Sequence, residues 1–328
     1  MKVKKEYLVL LVIIVALSLY LVLRNPDRTY YQLPKVPDAK KADISKIEII
    51  KNDASVVLEK RDNRWRVSPQ GYPADLDKVN GMLNALDNLT LTALVSEKKD
   101  YNRYDLNKDK AITVKAWTGN TMIRDFELGK TAPSYRHTFV KLAGDDRVYH
   151  ARGNFRWNFD QTADSLLDKT ILSFDLSGID EIRLTKGKES TTFSRKSPAE
   201  NGKAGQKDAA QSSGAQKGDR VWQSAEGKRV DESKINPLLT TLSKLRCERY
   251  AENRKKETYH DPIYSVTLKG EKEYTLSIFA KEGEASKQYP AISSESAYPF
   301  VLTEQQAEKI MVDPGKWLKK AEGKQKGG

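Results

Sequence analysis

The chain has 328 residues, 31% charged and 38% hydrophobic, with a net charge of +12. Five Trp, fifteen Tyr and eight Phe exclude a wholly disordered chain. A single cysteine, Cys247, excludes an intrachain disulfide framework and a thiolate metal cluster.

Tyr7 to Leu23 is an uncharged run of seventeen residues whose only small polar member is Ser18. At 1.5 Å per residue it extends about 26 Å, the short end of what a membrane span needs. Tyr7, Leu8, Leu11, Ile14, Leu17, Tyr20 and Leu23 are therefore expected to form a membrane anchor, with Tyr7 and Tyr20 near the two interfaces. Ala16-Leu17-Ser18 also fits a signal-peptide cleavage site. Cutting there leaves a bare apolar end, so a permanent single span is the expectation, with 1–24 as cytoplasmic tip and anchor. Lys2, Lys4 and Lys5 make a very short basic flank, as in a signal-anchor that leaves the bulk outside. Residues 25–43, with Pro26, Pro34 and Pro37, read as an extended stalk.

About 300 residues remain, enough for two domains. In the first, Ile47 to Ile50 and Val56 to Lys60 are strand-like. Asp62-Asn63 then signals a turn before Arg64-Trp65-Arg66-Val67. Asp75 stands where it caps a helix whose apolar face is Val79, Met82, Leu83, Leu86 and Leu89. The pattern returns further on. Strands at Ile179 to Leu184, Thr192 to Lys196 and Arg220 to Gln223 precede Asp231 and a helix with Ile235, Leu238, Leu239, Leu242 and Leu245. Hairpins follow in both halves, Ile112–Trp117 with Met122–Leu128 and Tyr264–Leu268 with Tyr274–Phe279. The second half carries a polar insertion, 197–218, without aromatic or large aliphatic residues, expected to be a disordered loop. The expected fold is α+β: an N-terminal transmembrane helix, then two tandem antiparallel-sheet-plus-helix units at 44–172 and 173–328.

The Ile47-x-x-Ile50 strand, the hairpin ending in Trp65-x-Val67, the Ala74-Asp75 helix entry and the junction Asp168 to Asp175 resemble bacterial proteins of the domain-of-unknown-function 4340 family. The likeness covers most of residues 44–320. It implies a single-anchor envelope protein, encoded beside an ABC-2-type permease, its ATPase and a gliding-motility-type auxiliary protein. It supplies no catalytic residues.

Chemistry is sparse in the residues themselves. His137, His150 and His260 lack zinc-ligand spacing, although the first two lie in or beside strands that could converge. P-loop and Gly-x-Ser-x-Gly motifs are absent. Ser96-x-x-Lys99 has the spacing of some serine acyl enzymes, but in a charged loop. Trp65 and Trp222 read as core residues. Lys130, Tyr135, Arg136 and His137 form the densest polar cluster and are the candidate partner-contact loop. Acidic and basic residues alternate locally, and no nucleic-acid motif is present, so no nucleic acid is expected. The basic tail from Lys316 is either a lipid contact or a solubilising end.

The expectation is thus a non-enzymatic accessory subunit of an ABC-type export or surface machinery. It would sit in a bacterial inner membrane with its soluble region on the periplasmic side, meet a permease or auxiliary partner, and need no cofactor or metal. A module binding an envelope polyanion or polysaccharide is the first alternative, an envelope hydrolase the second.

Overall fold

The computed structural model describes residues 5–23, 31–196, 221–283 and 285–317. The tip 1–4, residues 24–30 of the expected stalk, the insertion 197–218 and the tail beyond Trp317 lie outside the described residues. The chain divides into two compact units: Met1–Pro69 with Leu76–Ala163, and Gln70–Asp75 with Asp164–Gly328.

The expected class, α+β behind a transmembrane helix, is corrected on both counts. Most of the described elements are antiparallel strands in two large sheets, and among the described residues the longest helices outside the N-terminal segment have 12 residues each. Among the described residues no helix is long and apolar enough to cross a membrane. Helix α1 (Lys5–Leu23) has 19 residues. Its first two are Lys5 and Glu6, so the uncharged part reaches about 26 Å against a hydrocarbon core of about 30 Å.

The strands of the first unit are β1 (Lys46–Lys51), β2 (Ala54–Arg61), β3 (Arg64–Ser68), β5 (Leu91–Ser96), β6 (Ile112–Thr118), β7 (Thr121–Thr131), β8 (His137–Leu142) and β9 (Val148–Arg152). Strand β4 (Tyr72–Pro73) falls after β3 in sequence but belongs to the second unit. Hydrogen bonding within the first unit follows the order β3-β2-β1-β6-β7-β8-β9-β5. Asp62 and Asn63 turn the β2–β3 hairpin with φ of 49° and 59°, the left-handed geometry that Asp and Asn tolerate and that matches strand twist.

The register collects one apolar face. Ile47 opposes Leu58 and Ala116, Val114 opposes Phe126, Leu128 opposes Val140, and Tyr149 opposes both Val140 and Leu94. All of these except Leu94 are buried. Helix α2 (Leu76–Asp87) buries Val79, Met82, Leu83 and Leu86. It is tied to the sheet by Arg124 of β7, whose buried guanidinium donates Nε to the Leu86 carbonyl at 3.2 Å. Helix α3 (Arg156–Phe159) follows β9.

The second unit contains β10 (Thr170–Ser173), β11 (Ile179–Lys186), β12 (Glu189–Lys196), β13 (Val221–Ser224), α4 (Glu232–Ser243), β14 (Lys244–Arg246), β15 (Arg249–Tyr250), β16 (Tyr264–Gly270), β17 (Glu273–Ile278), β18 (Gln288–Ser293), β19 (Phe300–Thr303) and α5 (Glu304–Ile310). Its large sheet runs β13-β12-β11-β16-β17-β18-β19-β15, the first unit's order strand for strand. Register matches as well: Ile182 opposes Phe193 and Leu268, Val266 opposes Leu276, and Phe300 opposes both Ala291 and Tyr250. Asp231 caps α4 by accepting from Ser233 N at 3.0 Å. Leu89 and Leu245, expected on the helices, lie beyond their ends; Leu245 sits in β14, paired with β10.

The core of this unit is completed by residues from early in the chain. Within Gln70–Asp75 the Tyr72 ring stacks on Tyr250 at 4.5 Å and meets Tyr298 edge-on at 4.9 Å. The Gly71 carbonyl accepts from the Tyr298 hydroxyl at 2.9 Å. Asp75 N and Asp168 N then bond to the Leu166 and Pro73 carbonyls, at 2.8 and 2.9 Å.

Candidate interaction surface

The β7–β8 turn carries the four residues of the expected contact loop. Ala132 N donates to the His137 carbonyl at 2.8 Å and Tyr135 N to the Ala132 carbonyl at 2.9 Å. Tyr135 takes a left-handed φ of 56°, an uncommon conformation for a bulky residue. Its side chain is 76% exposed. Lys130 and Arg136 are exposed beside it, and His137 is half-buried.

A neighbouring turn locks onto this one. Gly153 N donates to the Arg136 carbonyl at 2.7 Å, and the Thr131 hydroxyl to Asn154 Oδ1 at 2.8 Å. Trp157 then donates Nε1 to the Asn154 carbonyl at 3.1 Å while its side chain stays 64% exposed. Both turns and α3 thus form one hydrogen-bonded ridge that presents two aromatic side chains on a fixed backbone. Its base is held by Arg156, which donates to the carbonyls of Leu128, Gly129 and Lys110 at 2.9, 2.8 and 2.7 Å. Asn158 Nδ2 ties α3 to α2 through the Gly81 carbonyl at 3.2 Å.

The two strand histidines do converge. His137 and His150 stack with ring centroids 5.1 Å apart and planes 22° from parallel, and Phe139 lies 4.9 Å from His150. Burial, and secondarily the facing His137, lowers the His150 pKa below its usual value. Among the described residues no group of three His, Cys, Asp or Glu is placed to hold a metal.

The remaining sequence candidates separate. The Ser96 hydroxyl bonds to the Lys98 carbonyl at 3.3 Å, while Lys99 pairs with Asp146 at 2.6 Å, so the Ser-x-x-Lys pair does not form a nucleophile and base. Trp65 and Trp222 are buried. Cys247 is buried too, and desolvation pushes its thiol up to about 12, which makes it unreactive at neutral pH. Tyr7, Leu11, Ile14, Leu17, Tyr20 and Leu23 lie along α1 with exposed side chains; the Leu8 side chain lies outside the described residues.

Trp157 is the residue that sequence reasoning missed. It belongs to a four-residue helix, too short to show periodicity. A family model described as Domain of unknown function (DUF4340) matches residues 65–261. No curated protein and no solved structure gives a match.

Proposed function

This chain belongs to the DUF4340 family, and we propose that it is a non-enzymatic accessory subunit of an ABC-type export or surface machinery, working through protein–protein contacts on the extracytoplasmic side of a bacterial inner membrane. The observation that carries the reading is the ridge with Tyr135 and Trp157, 76% and 64% exposed on a hydrogen-bonded backbone. Rigid aromatic side chains lose little conformational entropy on docking and dominate the energetics of many interfaces. Arg136 and Lys130 beside them suit a partner surface that is apolar at its centre and acidic at its rim. Helix α1 adds a second surface: Leu11, Ile14 and Leu17 are 62%, 53% and 57% exposed, and apolar area of this extent calls for an apolar cover, which a membrane-embedded partner supplies.

The test is recovery of partners with the intact chain in mild detergent, parental against a Tyr135→Ser/Trp157→Ser double variant. A permease or auxiliary protein is expected with the parental chain. Loss of even one hot-spot aromatic, at about 2 kcal/mol, weakens binding roughly 30-fold, so capture by the double variant should fall by at least that factor. Equal capture by both chains, or recovery of the parental chain alone while other membrane complexes survive, would refute the reading.

A further inference from the structure

Because the two sheets share one strand order and pair their buried residues in one register, core strand positions of the first unit have counterparts in the second. Ile112 opposes Leu128 and Tyr264 opposes Ile278, so Gly129 and Phe279, the next residues along, are counterparts. In the same way Phe139 matches Pro290 and His150 matches Val301.

The Gly129/Phe279 exchange changes what covers the sheet. In the first unit the loop 101–106 settles against the strands. A Cβ on Gly129 would lie only 2.2 Å from the Tyr104 carbonyl oxygen, so the absent side chain is what admits the loop. Tyr104 then packs on Phe139 at 4.9 Å, in a small core with Leu106, Ala132 and Val148. In the second unit Phe279 has a side chain there, and Tyr259 of the corresponding loop rests on its ring at 5.0 Å. An open cleft of about 310 Å³ remains over Pro290 and Val301, the counterparts of the filled positions.

The lining of this cleft is strongly polar and carries both charge signs. Arg254 pairs with Glu282 and lies over the Tyr259 ring at 5.9 Å. Arg249 donates to Gln288 Oε1 at 2.9 Å; among the described residues it meets no carboxylate, and Glu252 meets no cation. Gln288 in turn donates Nε2 to Glu248 Oε2 at 3.1 Å, so Arg249 reaches a carboxylate only through that amide. Arg249 and Glu252, three residues apart in the chain, are thus a charge of each sign without a direct ion pair in the lining of a single cleft.

We propose that this cleft binds a zwitterion of the amino-acid or short-peptide class, with Arg249 receiving its carboxylate and Glu252 its ammonium group. Guanidinium and carboxylate match in a forked, two-bond geometry, and the cleft is of the size that small-ligand sites occupy. The site is independent of the aromatic ridge.

Calorimetric titration of the intact chain with triglycine tests it, beside N-acetyl-triglycine, triglycine amide and acetate. Saturable triglycine binding is expected, weakened at least about tenfold by blocking either end, equivalent to about 1.4 kcal/mol. Arg249→Gln should remove the discrimination against the amide, and Glu252→Gln that against the acetylated form. Lys141→Gln, in a cleft of the first unit, should leave binding unchanged. Absence of triglycine binding, acetate binding as tightly as triglycine, or variants that keep both discriminations would each overturn the proposal. The blocked peptides need no mutation, so misfolding of a variant cannot rescue or sink it.

Discussion

Replacing Gly129 with Ala places a methyl group 2.2 Å from the Tyr104 carbonyl oxygen and 3.0 Å from Leu106 Cγ. The first neighbour is backbone and cannot rotate away, so the loop 101–106 must lift by about 1 Å to restore ordinary van der Waals contact. That movement loosens Tyr104 and Leu106, both buried, and opens the contact of Tyr104 with Phe139. Overpacking of this kind costs about 1–3 kcal/mol. Full expulsion of the loop would expose two large side chains and set an upper bound of about 6 kcal/mol. Against this, Ala in a strand gains about 0.5–1 kcal/mol over Gly through backbone entropy. The expected net loss is about 1 kcal/mol. Urea unfolding followed by tryptophan emission measures it, because Trp65, Trp117 and Trp157 report on the first unit. Amide exchange of 101–106 should speed up in parallel. A variant as stable as the parent, with unchanged exchange in that loop, would refute the steric account of why one copy is filled.

Tyr72→Ala removes a ring packed between Tyr250 and Tyr298 and should cost the second unit about 3 kcal/mol, read as a lower urea midpoint for the Trp222 and Trp317 signal; an unchanged midpoint would show that segment 70–75 contributes no stability. The His150 pKa is lowered on folding, chiefly by burial, so the unfolded chain takes up the proton more readily. Stability should therefore fall as pH drops below about 6.5, and His150→Gln should flatten the dependence of the urea midpoint between about pH 7 and pH 5; parallel profiles would contradict this. Arg147, and then the Tyr149 hydroxyl, hold the Asp145 carboxyl well below the usual carboxylate range against the opposing effect of burial. Its contribution is present above about pH 3.9 and is lost as pH falls through the lower folded value, so Asp145→Asn should reduce the acid sensitivity of unfolding.

What could be read from sequence was local. The spacing of Val79, Met82, Leu83 and Leu86 marks α2 because a helix returns the same face every three or four residues. Asp231 marks the start of α4 because its carboxylate satisfies an otherwise unpaired amide. Strand β15 carries no such signal: it is two residues long and is a strand only through its pairing with β19. Segment 70–75 looks like a Pro/Gly connection, and its place in the second unit's core depends on Tyr250 and Tyr298, almost 180 and 230 residues away in sequence. The span expected at the N-terminus rested on an apolar run, which fixes a helix but falls short in length. Of the candidate loop, the chemistry of Lys130, Tyr135, Arg136 and His137 was visible; their union with Asn154 and Trp157 arises only when two turns hydrogen-bond.

The two units show where a repeated sheet is free to diverge. Strand order is the same in both and the buried pairs keep one register, because a one-residue slip there would turn every buried side chain outward. Two places where the copies diverge leave these buried pairs intact. At the end of β9 the chain inserts Gly153 to Phe155 before the four residues of α3, whereas β19 runs directly into the seven residues of α5, closed by a Thr303–Gln306 capping box. The inserted turn is what lets Trp157 stand beside Tyr135. At the other place, Gly129 admits the Tyr104 carbonyl close to the strand, whereas in the second unit the Tyr259 ring of the corresponding loop rests on the Phe279 side chain. Each change alters one copy without disturbing its core, so one sheet architecture presents an aromatic ridge in the first unit and a charged cleft in the second.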